Sequence, residues 1–219
     1  STFYILKAML FITYPVVIIS IKITKLFSKD KQNKVTREEL SALSNLAYSE
    51  GVFSMQENRI IQNIIDLKKI KASEILTPRV VVFLANESLD LDSFSKEKNF
   101  SKYSRIPVYT NDIENVTGYI FLQDIIEKMS NSNDDFKLKD LKREILTVPN
   151  SVNVFSLFNQ FLEKKEHIAL IVDEYGGFDG IITMEDIIET LLGLEIIDEN
   201  DQVVDMQLYA KEKWLKKEI

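Results

Sequence analysis

The sequence predicts an α+β fold built from two similar units that pack face to face. The first observation is an internal repeat: the ten residues from Gly118 (G-Y-I-F-L-Q-D-I-I-E) align with the ten from Gly180 (G-I-I-T-M-E-D-I-I-E) at a constant offset of 62 positions. The second is that both stretches end the same order of predicted elements: strand, helix, strand, strand, helix. Two units are too few for a solenoid, so we expect them to pair around a pseudo-twofold axis with a cleft between them.

The second unit, residues 137–194 (repeat 2), shows the clearer pattern. Short apolar runs predict strands at residues 145–148 and 167–173, and a helix is predicted between them at residues 154–164. Gly176 and Gly177 supply a turn into a second short strand around Ile181 and Ile182. A helical pattern starts after Thr183, so this unit ends as a hairpin that leads into a helix.

The first unit, residues 72–130 (repeat 1), is less regular. Residues 80–84 are strand-like and residues 89–100 are helical in pattern. Upstream of the ten matched residues the alignment continues weakly, pairing Ile106 with Ile168 and Val108 with Leu170. A polar run, N-S-N-D-D at residues 131–135, predicts the linker between the units.

The N-terminal residues 1–27 are the most apolar stretch, with no charge from residue 8 to residue 21 and Pro15 in the middle. Because a basic cluster follows, we expect this segment to be membrane-associated, as the end of a transmembrane domain or as a kinked helix lying in the interface. The alternative is a buried N-terminal helix of a soluble domain. Residues 28–71 predict a linker of two helices, the first starting at Thr36 and ending at Gly51, the second capped by Ser54 with Glu57.

Composition limits the possible partners and chemistry. Residues 1–72 carry 11 Lys and Arg against 6 Asp and Glu, and the remainder carries 16 against 28. An acidic body argues against nucleic acid as a partner. The absence of cysteine excludes disulfides and thiol chemistry. Residues 195–219 predict an acidic tail followed by a helix at residues 203–215 that contains Trp214.

The repeats differ where a ligand would bind. Thr183 and Asp186 have the spacing of a helix capping box, and capping is the simpler interpretation of the pair. The same two side chains, at the start of a helix with unpaired N–H groups, could also hold a ligand. Repeat 1 has Phe121 in place of Thr183, and repeat 2 has no equivalent of Arg105. If each repeat donates half a site, one ligand binds per pair.

Several motifs in order identify a family resemblance. They are S-E-G at residues 49–51, L-T-P-R at 76–79, R-I-P-V at 105–108, D-E-Y-G-G at 173–177 and T-M-E-D at 183–186. The two repeats resemble a tandem pair of CBS (cystathionine beta-synthase) domains. The whole arrangement is similar to the CorC/CNNM (cyclin M-like) magnesium transport proteins.

The resemblance implies a cytosolic CBS pair that binds ATP with Mg²⁺, forms a homodimer and follows a DUF21 membrane domain, of which residues 1–27 are the end. Thr183 and Asp186 would hold the ribose hydroxyls, and Arg105 and Ser104 would face the phosphates. The residues lining the base and sugar would be Thr77, Tyr103, Ile106 and Pro107.

The function that this implies is regulation of a magnesium or cobalt transport (efflux) protein at the cell (inner) membrane. The CBS pair would lie in the cytoplasm, and its partners would be an adenine nucleotide, its own membrane domain and a second copy. A catalytic role is not expected, since the chain has one His, no Cys and no nucleophile beside a base in the expected pocket. The alternative function is a ligand-free structural dimerisation domain.

Overall fold

A computed structural model describes residues 2–27, 35–97, 100–131, 136–194 and 210. The chain divides into two compact parts, Ser1–Leu43 and Ser44–Ile219. The predicted acidic tail and the helix expected at residues 203–215 lie outside the described residues, apart from residue 210. So do most of the predicted inter-repeat linker and most of the basic cluster that follows the apolar N-terminus.

The N-terminal part is mainly one helix, α1 (Thr2–Phe27), and Pro15 lies within it without breaking it. Large apolar side chains of α1 are exposed, including Tyr4 and Phe11 at 79% and 83%. Among the residues that the structure describes, no helix is both long enough and apolar enough to cross a membrane.

Two capped helices follow. Helix α2 (Arg37–Ser49) begins after Thr36, whose hydroxyl accepts the Glu39 N–H at 3.2 Å while the Glu39 carboxylate accepts the Thr36 N–H at 3.0 Å. After Gly51, which has a left-handed φ of 76°, helix α3 (Met55–Asp66) starts with a full capping box between Ser54 and Glu57. The two predicted linker helices are therefore present, the first starting after Thr36 as expected and the second with the cap expected at Ser54.

Repeat 2 forms the predicted strand–helix–strand–strand–helix unit. Its elements are β5 (Leu146–Pro149), α7 (Val154–Lys164), β6 (Ile168–Val172), β7 (Phe178–Thr183) and α8 (Met184–Leu192). Strand β6 is parallel to β5 and antiparallel to β7. One face of this sheet packs on α7 and α8 through a core that includes Phe161, Ala169, Ile182 and Ile187.

Repeat 1 repeats this topology with shorter elements. They are β2 (Ala85–Asn86), α5 (Leu91–Ser95), a 3₁₀ turn (Phe100–Lys102), β3 (Arg105–Tyr109), β4 (Val116–Phe121) and α6 (Leu122–Asn131). The strand expected at residues 80–84 was wrong: a turn begins there, with the Val81 N–H donating to the Pro78 carbonyl at 3.0 Å. The helix expected at residues 89–100 is only α5, which Asp90 caps.

The pairing of strands corrects the alignment of the repeats by one residue. Arg105 pairs with Phe121, whereas Ile168 pairs with Thr183, so the counterpart of Arg105 is Ile168 and not His167, the residue that the constant offset of 62 positions predicts. The reason is the connection between the paired strands, which spans residues 110–115 in repeat 1 and only residues 173–177 in repeat 2. The predicted matches of Ile106 with Ile168 and of Val108 with Leu170 were therefore each displaced by one position.

The segment that leads into each repeat packs on the other repeat. Residues 72–78 form α4 (Ala72–Ile75) and β1 (Thr77–Pro78), and β1 pairs antiparallel with β7, giving the sheet order β1-β7-β6-β5. In the same way residues 138–143 lie beside β4, at the edge of the β2-β3-β4 sheet of repeat 1, where Arg143 forms an antiparallel bridge with Tyr119. Each repeat therefore completes the sheet of its neighbour.

Two aligned glycines make this exchange possible. A Cβ atom at Gly180 would meet the Leu76 Cδ1 at 2.8 Å, and one at Gly118 would meet the Lys142 Cγ at 2.7 Å. Residues 72–78 and residues 138–143 are the two crossing segments, and in each case the main-chain carbonyl oxygen of the crossing segment lies even closer to the added Cβ. The repeated glycine therefore reflects close approach of a second backbone.

A polar network holds the crossing segment at residues 138–143 against repeat 1. The Lys142 Nζ lies 2.6 Å from the Glu87 Oε2, and the Thr117 hydroxyl donates to the same oxygen at 2.7 Å. Thr110 donates to the other carboxylate oxygen. These hydrogen bonds, the one from Lys142 first, lower the pKa of Glu87 to about 2. A carboxylate is therefore held in its charged form at the junction of the repeats.

Candidate functional site

Four of the eight residues predicted to bind a ligand, Thr77, Arg105, Pro107 and Thr183, lie on the sheet faces that point away from the two cores. In β7 the buried residues alternate, and Ile182 belongs to the core while Ile181 and Thr183 lie on the opposite face. In β3, Ile106 belongs to the core of repeat 1, and Arg105 and Pro107 lie on the other face.

These two non-core faces cover one another. Leu170 of repeat 2 and Tyr119 of repeat 1 are 6% and 4% exposed, although neither belongs to the core of its own repeat. The Tyr119 hydroxyl donates a 3.0 Å hydrogen bond to the Glu166 carboxylate, which precedes β6. Burial, then this hydrogen bond, raises the pKa of Tyr119. The contact therefore joins the repeats on the side where the predicted site residues lie.

Thr183 and Asp186 form one unit at the start of α8. The Asp186 Oδ2 accepts both the Thr183 N–H at 2.6 Å and the Thr183 hydroxyl at 2.8 Å, and the Thr183 Oγ1 accepts the Asp186 N–H at 3.4 Å. The predicted cap is therefore present. It does not exclude ligand binding, because an ionised carboxylate offers about four acceptor positions on its two oxygens.

Thr77 belongs to the same sheet face. It lies in β1 directly opposite Ile181, two residues before Thr183, and residues two apart on a strand share a face. Although Thr77 was assigned to repeat 1, it therefore stands next to the Thr183–Asp186 pair in the sheet of repeat 2.

The Y-S-R-I-P segment divides between the two faces of the other sheet. Tyr103 stacks on Phe83, with ring centroids 5.5 Å apart, at the edge of the core of repeat 1. Ser104 is exposed, and its carbonyl accepts the Leu122 N–H at 3.0 Å. Ile106 is fully buried in the core, so its side chain does not line the face that carries Arg105 and Pro107. The side-chain role predicted for Ile106 conflicts with strand alternation.

Repeat 1 carries a different set of groups at the positions that match Thr77, Thr183 and Asp186. Phe121 replaces Thr183, and Asp124 matches Asp186. Arg143, bridged to Tyr119, matches Thr77, which pairs with Ile181. Arg143 makes a 2.7 Å ion pair with Asp124, and its guanidinium lies 4.3 Å from the Phe121 ring centroid. Repeat 1 therefore has an ion pair and an aromatic ring at the positions where repeat 2 has Thr77, Thr183 and Asp186.

Sequence reasoning missed Arg143, Tyr119 and Glu166. A weak signal for Arg143 exists, because K-A-S-E-I-L-T at residues 71–77 resembles K-L-K-D-L-K-R at residues 137–143 at an offset of 66 positions. Both segments also start with the same backbone bridge, Lys71 to Asn153 and Asp90 to Lys137. That offset differs from the 62 positions of the main repeat, which concealed the match.

Comparison with known proteins identifies this fold. Residues 138–193 match the family model described as CBS domain. The structure resembles that of the CBS domain of the bacterial CNNM/CorC family Mg²⁺ transporter, with a TM-score of 0.70, 29% identity and coverage of 75% of this chain and 99% of the other. The resemblance to the CorC/CNNM family of CBS-domain proteins, expected from the sequence motifs, is confirmed. The predicted fold, a tandem CBS pair of α+β class, is confirmed.

Two relatives and one complex extend the comparison. A UPF0053 protein of Synechocystis is 34% identical over 200 residues, which cover 91% of this chain and 58% of the relative. The magnesium and cobalt efflux protein CorC of Escherichia coli is 26% identical, over 89% of this chain and 66% of the relative. The same transporter's CBS domain in complex with ATP matches with a TM-score of 0.60 and 28% identity, over 64% of this chain and 99% of the other. The chain thus spans about three-fifths of the length of these two curated relatives.

Proposed function

We propose that this CBS pair is the regulatory module of a membrane magnesium or cobalt transport protein and that it binds ATP with Mg²⁺ between the two repeats. The observation that carries the proposal is the grouping of Thr77 and Thr183 on one sheet face with Asp186 in the first turn of α8, on the side of the sheet that faces Arg105 of repeat 1. The ATP complex of the related CBS domain supports the choice of nucleotide. The repeat boundaries at residues 72–130 and 137–194 are part of this proposal.

The residue chemistry fits a nucleotide. Asp186 can accept hydrogen bonds from two ribose hydroxyls, and the Thr183 hydroxyl oxygen beside it is a further acceptor. Arg105 matches phosphate oxygens with a planar fork of N–H donors, and Pro107 provides a flat apolar surface for adenine. Ser104 and Tyr103 would contribute at the phosphate and base ends, and Ile106 would contribute through its main chain.

Mg²⁺ is expected to arrive with the nucleotide. Residues 73–219 carry 28 acidic against 16 basic side chains, so they would repel a free triphosphate. A bound cation that neutralises part of the phosphate charge removes most of that repulsion. In this proposal the nucleotide's phosphates hold the Mg²⁺.

A packed contact connects the proposed site to the linker helices. Helix α8 starts at the capping box that Thr183 and Asp186 form, and it packs along α3. The Asn63 Nδ2 donates to the Leu191 carbonyl at 3.1 Å, and the Arg59 guanidinium donates to the Gly193 carbonyl at 3.4 Å. A nucleotide that fixes the first turn of α8 would therefore bias the position of α3. The ligand can shift this equilibrium only by its different affinity for the two arrangements.

Membrane attachment and dimerisation complete the proposal. The exposed apolar side chains of α1 support its contact with a membrane, and the cell (inner) membrane with a cytoplasmic CBS pair is the proposed location.

Ile126 and Ile188, which match each other in the two repeats, are 51% and 37% exposed on α6 and α8. They support a homodimer through these helices. No catalytic role is proposed.

Thermal unfolding with and without ATP and Mg²⁺ tests the proposal. Nucleotide at 100 times its dissociation constant should add about 2.7 kcal/mol of stability. For a chain of this size that is a rise in Tm of about 5–10 °C. Asp186→Asn should abolish the rise, whereas Asp140→Asn, a capping carboxylate of the crossing segment, should retain it. The alternative, a ligand-free dimerisation domain, predicts no change in Tm for the wild type.

A further inference from the structure

Two guanidinium groups lie near one aromatic ring on the non-core face of repeat 1. The central guanidinium carbons of Arg105 and Arg143 are 4.9 Å and 4.3 Å from the Phe121 ring centroid. Arg105 pairs with Phe121 across the β3–β4 ladder, and Arg143 is bridged to Tyr119 on the far side of β4. The two arginines therefore flank Phe121, one from each neighbouring backbone segment.

A bound anion can compete with the Asp124 carboxylate for the Arg143 guanidinium. Its partner Asp124 is 2.7 Å away, but the two side chains are 50% and 30% exposed, and ion pairs this accessible to water are weak. A phosphate group offers the same forked hydrogen-bonding geometry with more negative charge. Both arginines also act to lower the pKa of the buried Tyr119 hydroxyl, against the stronger effects of burial and Glu166, so their fields overlap.

We propose that Arg143 is a second phosphate-binding residue, which acts with Arg105 across Phe121 and makes the site selective for a nucleoside triphosphate over a monophosphate. This inference rests on the proposed nucleotide site. A triphosphate held at Arg105 extends two phosphate groups further than a monophosphate, and it therefore has the greater reach towards Arg143. On binding, Arg143 exchanges the Asp124 carboxylate for phosphate oxygens.

Calorimetric titration with ATP and with AMP, each with Mg²⁺, tests the assignment. Removing a charge-assisted hydrogen bond in Arg143→Gln should weaken ATP binding about tenfold or more and AMP binding by less than about twofold. Asp124→Asn should strengthen ATP binding, because it releases Arg143. The matched control is Arg79→Gln. Arg79 also makes a 2.7 Å ion pair, with Glu114, and is 49% exposed, but it lies at the opposite end of β7.

The outcomes separate this inference from the one on which it rests. A wild-type protein that binds neither nucleotide would remove the proposed site itself. A wild type that binds ATP, with an unchanged ratio of ATP to AMP affinity in Arg143→Gln, would overturn only the role of Arg143. Equal losses for both nucleotides, or the same selective loss in Arg79→Gln, would also overturn it. Retained AMP binding shows that Arg143→Gln is folded.

Discussion

Replacing Gly180 by alanine should break the exchange of segments between the repeats. The new methyl group would lie 2.8 Å from the Leu76 Cδ1 and 3.1 Å from the Thr77 carbonyl carbon, with the Thr77 oxygen closer still. A backbone carbonyl cannot rotate away as a flexible side chain can, so β1 must separate from β7. Overpacking of this kind costs about 1–3 kcal/mol. Loss of the neighbouring hydrogen bond from the Arg79 N–H to the Asp179 carbonyl, 3.0 Å long, adds about 1 kcal/mol.

The expected loss for Gly180→Ala is therefore about 3 kcal/mol, or a fall in Tm of about 6–12 °C. Chemical and thermal unfolding followed by circular dichroism would measure it. Gly176→Ala is the control: Gly176 has a φ of 82° and no heavy atom within 4 Å of the position that a new methyl group would take, so only backbone strain of about 1–2 kcal/mol is expected. A smaller loss for Gly180→Ala than for Gly176→Ala would refute the proposed close approach.

Three further changes test other parts of the structure. Glu87→Gln should lower the unfolding free energy at pH 7 by about 1–2 kcal/mol. Because the pKa of Glu87 is lowered from 4.5 to about 2, the stabilisation is complete above pH 4.5 and lost as the pH falls to about 2, so urea titrations of the variant and wild type should converge in acid. Tyr119→Phe removes the 3.0 Å bond to Glu166 and should cost about 1 kcal/mol in the same assay, and an unchanged stability would show that the bond is not formed. Ser54→Ala removes a helix cap and should cost about 1 kcal/mol, with no effect on nucleotide affinity.

Local sequence signals predicted much of the fold because they act over a few residues. The helix expected at residues 154–164 is α7, and the caps at Ser54 and Thr183 form where the sequence indicates. Each depends on spacing within one turn of helix. Residues 80–84 were misread because a short apolar run is also typical of a partly buried turn.

The exchange of segments could not be predicted from such signals. Whether β1 pairs within its own repeat or with β7 is a choice between distant partners, and nothing in the local sequence distinguishes them. Gly118 and Gly180 lie where the crossing segments pack against the sheets. In a sequence, however, a glycine is equally compatible with a turn, a bulge or a close backbone approach. For the same reason Arg143, which reaches its position only through the exchange, was not among the candidate site residues.

The most direct test of the central claim is a calorimetric titration of ATP with Mg²⁺ into the wild type, Arg105→Gln and Asp186→Asn. If one nucleotide is held by side chains of both repeats, the wild type should bind about one ATP per chain, and each variant should lose about tenfold or more in affinity. Binding that is equally strong in all three proteins, or absent from the wild type, would contradict the account.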